Sequence, residues 1–163
     1  PSWNYSFYLG VDKGDPIYDA PGAAQAFEDR FRALVPSEQV RLRYTVFDGF
    51  RGAPSQVVAE LMEQAYADRV EWLFQLNDDA RLISPGWEAN LATALRRNPV
   101  YPNLGATGPT DQNNARIFTH AFVHRTHLDI HGRFFPRAFL NWSTPTSPRP
   151  PPSLAVHPRP HRH

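Results

Sequence analysis

Strand-like and helix-like segments alternate along this chain, and their order constrains the fold more than any other feature of the sequence. Runs rich in aromatic and β-branched residues predict strands, and segments with apolar residues three or four positions apart predict amphipathic helices. The predicted strands are residues 5–11, 40–48, 70–76 and 104–108. The predicted helices between them are residues 22–35, 54–67 and 84–97. Because short connections in this order favour right-handed parallel crossovers, we expect an α/β fold, a Rossmann-like three-layer sandwich with a mostly parallel central sheet.

The C-terminal segment, residues 143–163, differs in composition from the rest of the chain. It holds seven of the 17 prolines and no carboxylate. Such a composition cannot complete a helix or a sheet ladder and buries little apolar surface. We therefore predict one domain over residues 1–142 and a disordered tail rich in Pro, Arg and His over residues 143–163. A polyproline ligand or a histidine-rich metal-binding segment is the functional alternative for this tail.

The charge of the chain also separates the predicted domain from the tail. Although the formal net charge is +1, all 16 acidic residues lie before residue 130, whereas three of the 17 basic residues lie in the tail. The domain itself therefore has a small excess of acidic groups. A nucleic-acid-binding surface needs clustered basic side chains, so we expect no nucleic-acid partner.

The absence of cysteine excludes a disulfide framework and a thiolate zinc site. No apolar run approaches the roughly 18 to 20 residues that a transmembrane helix needs, and we expect no membrane segment in this chain. Localisation is open: the Golgi or secretory lumen if a longer protein carries an N-terminal anchor, and the cytoplasm otherwise.

Carboxylates follow three of the predicted strands. Asp12 follows the first strand, Asp48 ends the second, and the adjacent Asp78 and Asp79 follow the third. Ligands of parallel α/β sheets bind at the carboxyl ends of the strands, so we expect these side chains to surround one site. The repulsion between adjacent carboxylates is offset when a divalent cation joins them to an anionic ligand. Mg²⁺ and Mn²⁺ bind in this way, with one or two protein oxygens and substrate phosphates.

The paired aspartates also have a structural interpretation. An Asp pair in front of a helix is often an N-cap or a solvated turn. Here, however, Ser84 and Pro85 are the residue types expected at the N-cap and the first position of the following helix. This assignment leaves Asp78 and Asp79 without a capping role and favours ligand binding.

A resemblance to a known family rests on this acidic segment and its surroundings. The segment "VEWLFQLNDDARLISPGWEANLATALRRNP" resembles the strand, the metal-binding acidic motif and the following helix of family-2-type glycosyltransferases with the GT-A fold. The segments "VFDGFRGAPSQVVAELMEQA", "LGATGPTDQ" and "FTHAFVHRTHLDIHGRFFPRAFLNW" follow the order found in that family. The likeness covers roughly residues 5–142.

The resemblance implies roles for the four aspartates. In the DXD-like motif, Asp79 would hold Mn²⁺ or Mg²⁺ against the diphosphate of a nucleotide sugar, and Asp78 would share the metal or contact the ribose. Asp48 would contact the nucleobase, and Asp12 would lie in the loop that lines the same pocket. Each of these residues is also an ordinary former of strand-to-loop turns.

The function implied is transfer of a sugar from a UDP- or GDP-sugar to a hydroxyl of a glycan, protein or lipid acceptor, with inversion. That reaction needs a general base, which in the family is an acidic residue beyond the "FFP" region. No Asp or Glu follows Asp129 in this sequence, so no catalytic residue is assigned. The alternative is a nucleotide-sugar-binding module that does not catalyse transfer.

A row of histidines supplies a third hypothesis, a histidine-rich metal-binding protein. His120, His124, His127 and His131 would share one face if their segment were a single helix, and could then bind Zn²⁺. The segment also alternates like a strand up to about residue 125 and then predicts a short helix that ends at Gly132, which would scatter the row. In that case His120 or His124 alone could serve the site, as a metal ligand or near the donor phosphates.

Three further residues are candidates for the acceptor side. Gln112 and Asn113 follow a turn-like "GPTD" segment and could bind sugar hydroxyls, and Trp142 could stack on a sugar ring. Gln112 and Asn113 are equally typical of turns. Trp142 is equally typical of a tryptophan at the end of a loop that closes the hydrophobic core.

Overall fold

The computed structural model describes residues 3–112 and 118–135, and it divides the chain into two compact units. The first unit extends to Ala65 and includes Phe135, and the second covers the described residues of Tyr66–Phe134. The strands are β1 (Tyr5–Asp12), β2 (Val40–Phe47), β3 (Trp72–Phe74), β4 (Ala106–Thr107) and β5 (Phe122–His124). The helices are α1 (Ala23–Leu34), α2 (Pro54–Ala67), α3 (Trp87–Arg96) and α4 (Thr126–His131). The predicted tail lies outside the described residues.

The first unit contains a two-stranded parallel sheet. Strands β1 and β2 pair along their whole length, from Tyr5 opposite Val40 to Asp12 opposite Phe47. Helix α1 packs on one face through aromatic side chains. The ring of Phe31 lies 5.6 Å from that of Phe7, and the ring of Phe27 lies 5.6 Å from that of Tyr44. These edge and tilted contacts are the geometries that aromatic pairs prefer, and they dock α1 although none of its residues is fully buried.

Helix α2 lies against the opposite face of the same sheet, and a glycine permits its close approach. A Cβ atom at Gly10 would overlap Cγ1 of Val57 and would lie 3.2 Å from Leu61 Cδ1. Beside it, the Thr45 hydroxyl donates a hydrogen bond of 3.2 Å to Gln64 Oε1. Alternate residues of the strands thus contact α1 and α2, as the two-residue period of a strand requires.

The second unit is built on a three-stranded antiparallel sheet in the order β3-β5-β4. Strand β5 occupies the centre, with Val123 opposite Leu73 on one side and opposite Ala106 on the other. Leu73 and Val123 are 2% and 1% exposed, so this pairing forms the centre of the core. On one face Trp72 stacks on Phe122, with ring centroids 5.5 Å apart.

The predicted fold, a Rossmann-like GT-A three-layer sandwich with a mostly parallel central sheet, is wrong. The third predicted strand does not join β1 and β2; it pairs with β5, which runs in the opposite direction. The rule for parallel crossovers applies only when consecutive strands enter the same sheet. Here the segment around Phe122 and Val123 offers β3 an apolar partner from much later in the chain, and the sheet of the second unit is antiparallel.

The predicted start of the third helix is also wrong. Helix α3 begins at Trp87, and its N-cap is Gly86, which has a φ of 68° and makes no side-chain capping bond. Ser84 and Pro85 precede this glycine. The left-handed backbone at Gly86 interrupts the helical geometry, so the Ser-Pro pair belongs to the preceding turn and not to the helix.

Other local predictions are confirmed. Helix α2 has the predicted bounds, and α1 differs from its prediction by one residue at each end. The strand-to-helix change near residue 125 is present, and α4 ends at His131 with Gly132 as its C-cap, whose φ is 71°. Within the described part of the chain, no helix combines the length and apolar character that crossing a membrane requires.

The close packing at Gly10 can be tested by adding one methyl group. We expect Gly10→Ala to destabilise the fold by about 1–3 kcal/mol, because the short β-branched side chain of Val57 cannot rotate away freely. Urea denaturation measures the loss. The double variant Gly10→Ala/Val57→Ala should regain part of it by removing the overlapping atom. Simple addition of the two single effects would contradict the assigned contact.

A second prediction concerns the pH dependence of stability. His127 Nε2 donates a hydrogen bond of 2.9 Å to the carbonyl oxygen of Phe134, and burial lowers the pKa of the imidazole. As the pH falls, His127 of the unfolded chain, which has the ordinary pKa of about 6.5, is protonated before His127 of the folded chain. The free energy of unfolding is therefore constant above that pKa and falls as the pH drops through it. We expect a lower urea midpoint at pH 5.5 than at pH 7.5.

The variant His127→Gln tests the source of this dependence, since the glutamine amide can still donate to Phe134 but does not titrate. Its midpoint should differ less between the two pH values. The exposed His131→Gln variant is the control and should keep most of the dependence. A wild-type protein that is equally stable at both pH values would show the assignment to be wrong.

Candidate functional site

The direction of β5 brings three loop segments to one end of the three-stranded sheet. Because β5 is antiparallel to β3 and β4, it begins at the end where both of those strands finish. Residues 75–80, 108–112 and 118–121 therefore lie at this end, which we call the sheet end. The segment in which the sequence predicts a metal site is one of the three.

Gln75 connects two of these segments. Its backbone N–H donates to the carbonyl oxygen of Ala121 at 2.9 Å, and its side-chain Oε1 lies 3.5 Å from the N–H of the same residue. Its amide nitrogen donates to Asn77 Oδ1 at 3.1 Å. Gln75 thus fixes the start of the acidic loop against the start of β5. The sequence gives one signal for this role: Gln75 and Glu71 are the polar residues of a predicted strand that is otherwise apolar.

Asp78 and Asp79 occupy the two central positions of a turn. The turn is closed by a hydrogen bond of 3.2 Å from the Ala80 N–H to the Asn77 carbonyl oxygen. Both aspartates are exposed, and among the described residues neither carboxylate has a hydrogen-bond or ion-pair partner. They do not cap α3, which begins eight residues further on at Trp87. The turn thus presents two adjacent acceptor groups to solvent.

The end of β4 is held close to the start of β5. A Cβ atom at Gly108 would overlap the carbonyl oxygen of His120 and would lie 3.0 Å from the Phe118 ring. Nearby, the Thr119 hydroxyl donates to Asp111 Oδ2 at 3.3 Å. Gln112, an acceptor-side candidate, is exposed at the end of the described segment. The other two acceptor-side candidates, Asn113 and Trp142, lie outside the described residues.

The two candidate histidines lie at opposite ends of β5. His120 precedes β5 at the sheet end, and its Nδ1 atom is buried without a hydrogen-bond partner in the described structure. His124 closes β5 opposite Trp72, where β3 starts. A buried polar atom without a partner costs about 1–3 kcal/mol, so this state of His120 needs an explanation.

His124 is already bonded within the fold. Its Nδ1 lies 2.6 Å from Thr126 Oγ1, and its Nε2 lies 3.9 Å from Glu71 Oε1. Burial lowers its pKa, and the nearby Glu71 carboxylate opposes this shift. These contacts connect β5 to α4 and to the residue before β3. They give His124 a structural role.

The histidine row does not share one helical face, because β5 ends at His124 and α4 begins at Thr126. Across residues 3–112 and 118–135, no group of three or more His, Asp or Glu side chains is placed to hold a metal ion. A cation at Asp78 and Asp79 would therefore complete its coordination with ligand and water oxygens. This is a common arrangement for Mg²⁺.

Asp12 and Asp48 belong to the first unit, at the carboxyl ends of β1 and β2. Asp48 Oδ2 lies 2.6 Å from Lys13 Nζ in an exposed ion pair, and this contact raises the pKa of the lysine. Asp12, the last residue of β1, is half-buried. The expected gathering of all four aspartates along one parallel sheet is wrong, since Asp78 follows a strand of the other sheet.

The tryptophans of the second unit pack within the fold. Trp87 lies against Phe74, with ring centroids 5.1 Å apart, and Trp72 stacks on Phe122. The Arg96 guanidinium lies 5.0 Å from the Trp72 ring centroid. A polar depression of about 210 Å³ lies in the first unit, near the amino ends of β1 and β2, and contains none of the predicted site residues.

Comparison of the chain with models of protein families found no match, and searches among curated proteins and solved structures found none. The residues of the sheet end and the resemblance of its acidic segment therefore remain as the indications of function.

The contact at Gly108 gives a prediction for the sheet end. Since a Cβ at this position would meet backbone, which cannot rotate away, Gly108→Ala should cost at least about 2 kcal/mol of stability. It should also displace His120, which NMR can follow through the ring signals of that residue. His127 is the internal control, because it packs on Phe134. Unchanged stability together with unchanged His120 signals would contradict the close approach.

Proposed function

We propose that this chain is a glycosyltransferase that binds a nucleoside-diphosphate sugar at the sheet end, through Mn²⁺ or Mg²⁺ held by Asp78 and Asp79. The observation that carries the proposal is the turn that holds both carboxylates side by side without a partner among the described residues. The resemblance of the surrounding segment to nucleotide-sugar enzymes supports the same assignment. The proposal does not require a GT-A sheet.

The electrostatics of the turn favour a divalent cation. Two carboxylates in the central positions of one turn repel each other, and each has free oxygen lone pairs. Among residues 3–112 and 118–135, no Lys or Arg neutralises them through an ion pair. A cation that binds one or both oxygens relieves the repulsion and leaves positions open for phosphate oxygens.

The chemistry of transfer assigns different tasks to different groups. A bound metal ion would stabilise the negative charge on the departing diphosphate. This chain would hold that ion through Asp79 and Asp78 and would fix the loop through Gln75, whose bonds to Ala121 and Asn77 limit its movement. Gln112 is the described residue that would face an acceptor hydroxyl.

A nucleotide-sugar-binding module without transfer is the second candidate. The observation in its favour is that no Asp or Glu follows Asp129 in this sequence, where the resemblance places the catalytic base. Inverting transfer requires a group that removes the proton from the acceptor hydroxyl. Both candidates share the metal and diphosphate site and differ only in turnover.

Calorimetry on single variants tests the shared site. We expect UDP or GDP, and their sugar derivatives, to bind in the presence of Mn²⁺ and weakly without it. Asp79→Asn should weaken the metal-dependent binding by about 10- to 100-fold, because it removes a charged ligand oxygen. Asp78→Asn should have the same direction of effect.

The control is Asp68→Asn, the same chemical change at an exposed position of the second unit that precedes β3. It should leave nucleotide affinity unchanged. Full affinity in both Asp78 and Asp79 variants would refute the proposal, and Mn²⁺ binding without any nucleotide binding would favour a metal-binding protein. If nucleotide sugars bind, an assay of sugar transfer and of donor hydrolysis separates the enzyme from the binding module.

A further inference from the structure

The start of β1 contains an acceptor sequence for N-linked oligosaccharides. Asn4, Tyr5 and Ser6 match the pattern Asn-X-Ser/Thr, in which X is any residue except proline. We call these three residues the acceptor tripeptide. The sequence holds one further match, residues 141–143, which lies outside the described residues. Since an N-linked oligosaccharide is bulky and needs a surface position, the structure around Asn4 decides whether the fold can carry one.

The structure leaves both reactive side chains of the acceptor tripeptide accessible. Asn4 and Ser6 are exposed, and among the described residues neither side chain has a hydrogen-bond partner. Asn4 comes directly before β1, and the ladder begins one residue later, where the Tyr5 N–H donates to the Gln39 carbonyl oxygen at 2.8 Å. A group attached to Asn4 Nδ2 would therefore break no contact of the described fold.

The polar depression of the first unit lies beside this asparagine. Its volume is about 210 Å³, and it is lined by residues 4–6 together with Glu38, Gln39 and Arg41. Arg41 stands opposite Ser6 in the ladder. Within the part of the chain that the structure describes, the side chains of Glu38, Gln39 and Arg41 have no hydrogen-bond or ion-pair partner. They thus offer free donors and acceptors next to Asn4.

The size and polarity of the depression suit one sugar ring. Pockets for drug-sized ligands usually enclose roughly 300–1,000 Å³, so this depression is small for a nucleotide sugar. The first sugar of an N-linked oligosaccharide is N-acetylglucosamine, whose hydroxyl and acetamide groups can bond to carboxylate, amide and guanidinium groups. A sugar attached to Asn4 would start at the wall of the depression.

We propose that Asn4 carries an N-linked oligosaccharide and that its first N-acetylglucosamine lies in the polar depression. In the reaction, Asn4 Nδ2 loses a proton and forms a bond to C1 of this sugar. The bond from C1 to the diphosphate of a lipid-linked oligosaccharide donor breaks, and its electron pair leaves with the diphosphate. The enzyme is an oligosaccharyltransferase of the secretory pathway, so the chain enters the secretory lumen. The modification is independent of the acidic turn.

Mass spectrometry of the protein isolated from the cells that make it tests the modification. Treatment with a peptide N-glycosidase should remove an oligosaccharide and convert Asn4 to aspartate in the peptide that contains it. A peptide whose Asn4 is unmodified before this treatment would overturn the proposal.

Single variants test the acceptor tripeptide. The chain is expressed through a eukaryotic secretory pathway with Asn141→Gln, so that one acceptor sequence remains. Asn4→Gln and Ser6→Ala should lose the oligosaccharide completely, whereas Ser6→Thr should keep it because the hydroxyl group remains. Ser37→Ala, the same change at an exposed serine outside the tripeptide, is the control and should keep it. An oligosaccharide that persists in Ser6→Ala would contradict the assignment.

Stability tests the position of the first sugar. Three forms of the chain with Asn141→Gln are compared: fully glycosylated, trimmed by an endoglycosidase to one N-acetylglucosamine, and produced in cells without the transferase. The first two should share a higher urea midpoint than the third, because the first sugar makes the contacts. Arg41→Ala should reduce this gain. Equal midpoints in all three forms, or loss of the gain on trimming, would overturn the placement of the sugar in the depression.

Discussion

The central position of β5 is the constraint on which the second unit depends. Its Val123 is buried between Leu73 and Ala106, and Phe122 lies against the rings of Trp72 and Phe74. The strands of this sheet are only two or three residues long, so few ladder hydrogen bonds hold them and apolar packing must supply most of the stability. The same pairing decides which loops meet, because an antiparallel centre strand begins where its neighbours end.

The local elements could be predicted from the sequence because their signals are local. Helix α2 has Pro54 in its first turn and a regular apolar stripe, and its predicted bounds are those of the structure. The partner of β3 could not be predicted in this way. Its apolar residues suit a neighbouring strand on either side and in either direction, and the partner strand, β5, lies far along the chain, with Leu73 paired to Val123. The order of elements suggested a parallel sheet, and the burial of Phe122 and Val123 produced an antiparallel one.

The candidate site shows the same division between local and long-range information. Asp78 and Asp79 stand out in the sequence because adjacent carboxylates repel each other unless a positive charge offsets the repulsion. The difference between His120 and His124 appears only with the register, which puts the first at the end of the sheet with the acidic turn and the second opposite Trp72. The role of Gln75 depends on the same register, since its side chain contacts the N–H of Ala121.

The exposed carboxylates that follow strands have different electrostatic surroundings in the two units. Asp48 has its own cation, Lys13, at 2.6 Å, and a metal ion would have to displace that ammonium group. An exposed pair of this kind contributes little to stability, so the obstacle is small, but the local charge is already balanced. At Asp78 and Asp79 the charge is doubled, and no described side chain pairs with it. Since an ion binds where negative charge is least compensated, the charge at the turn after β3 supports the proposal that a divalent cation binds there.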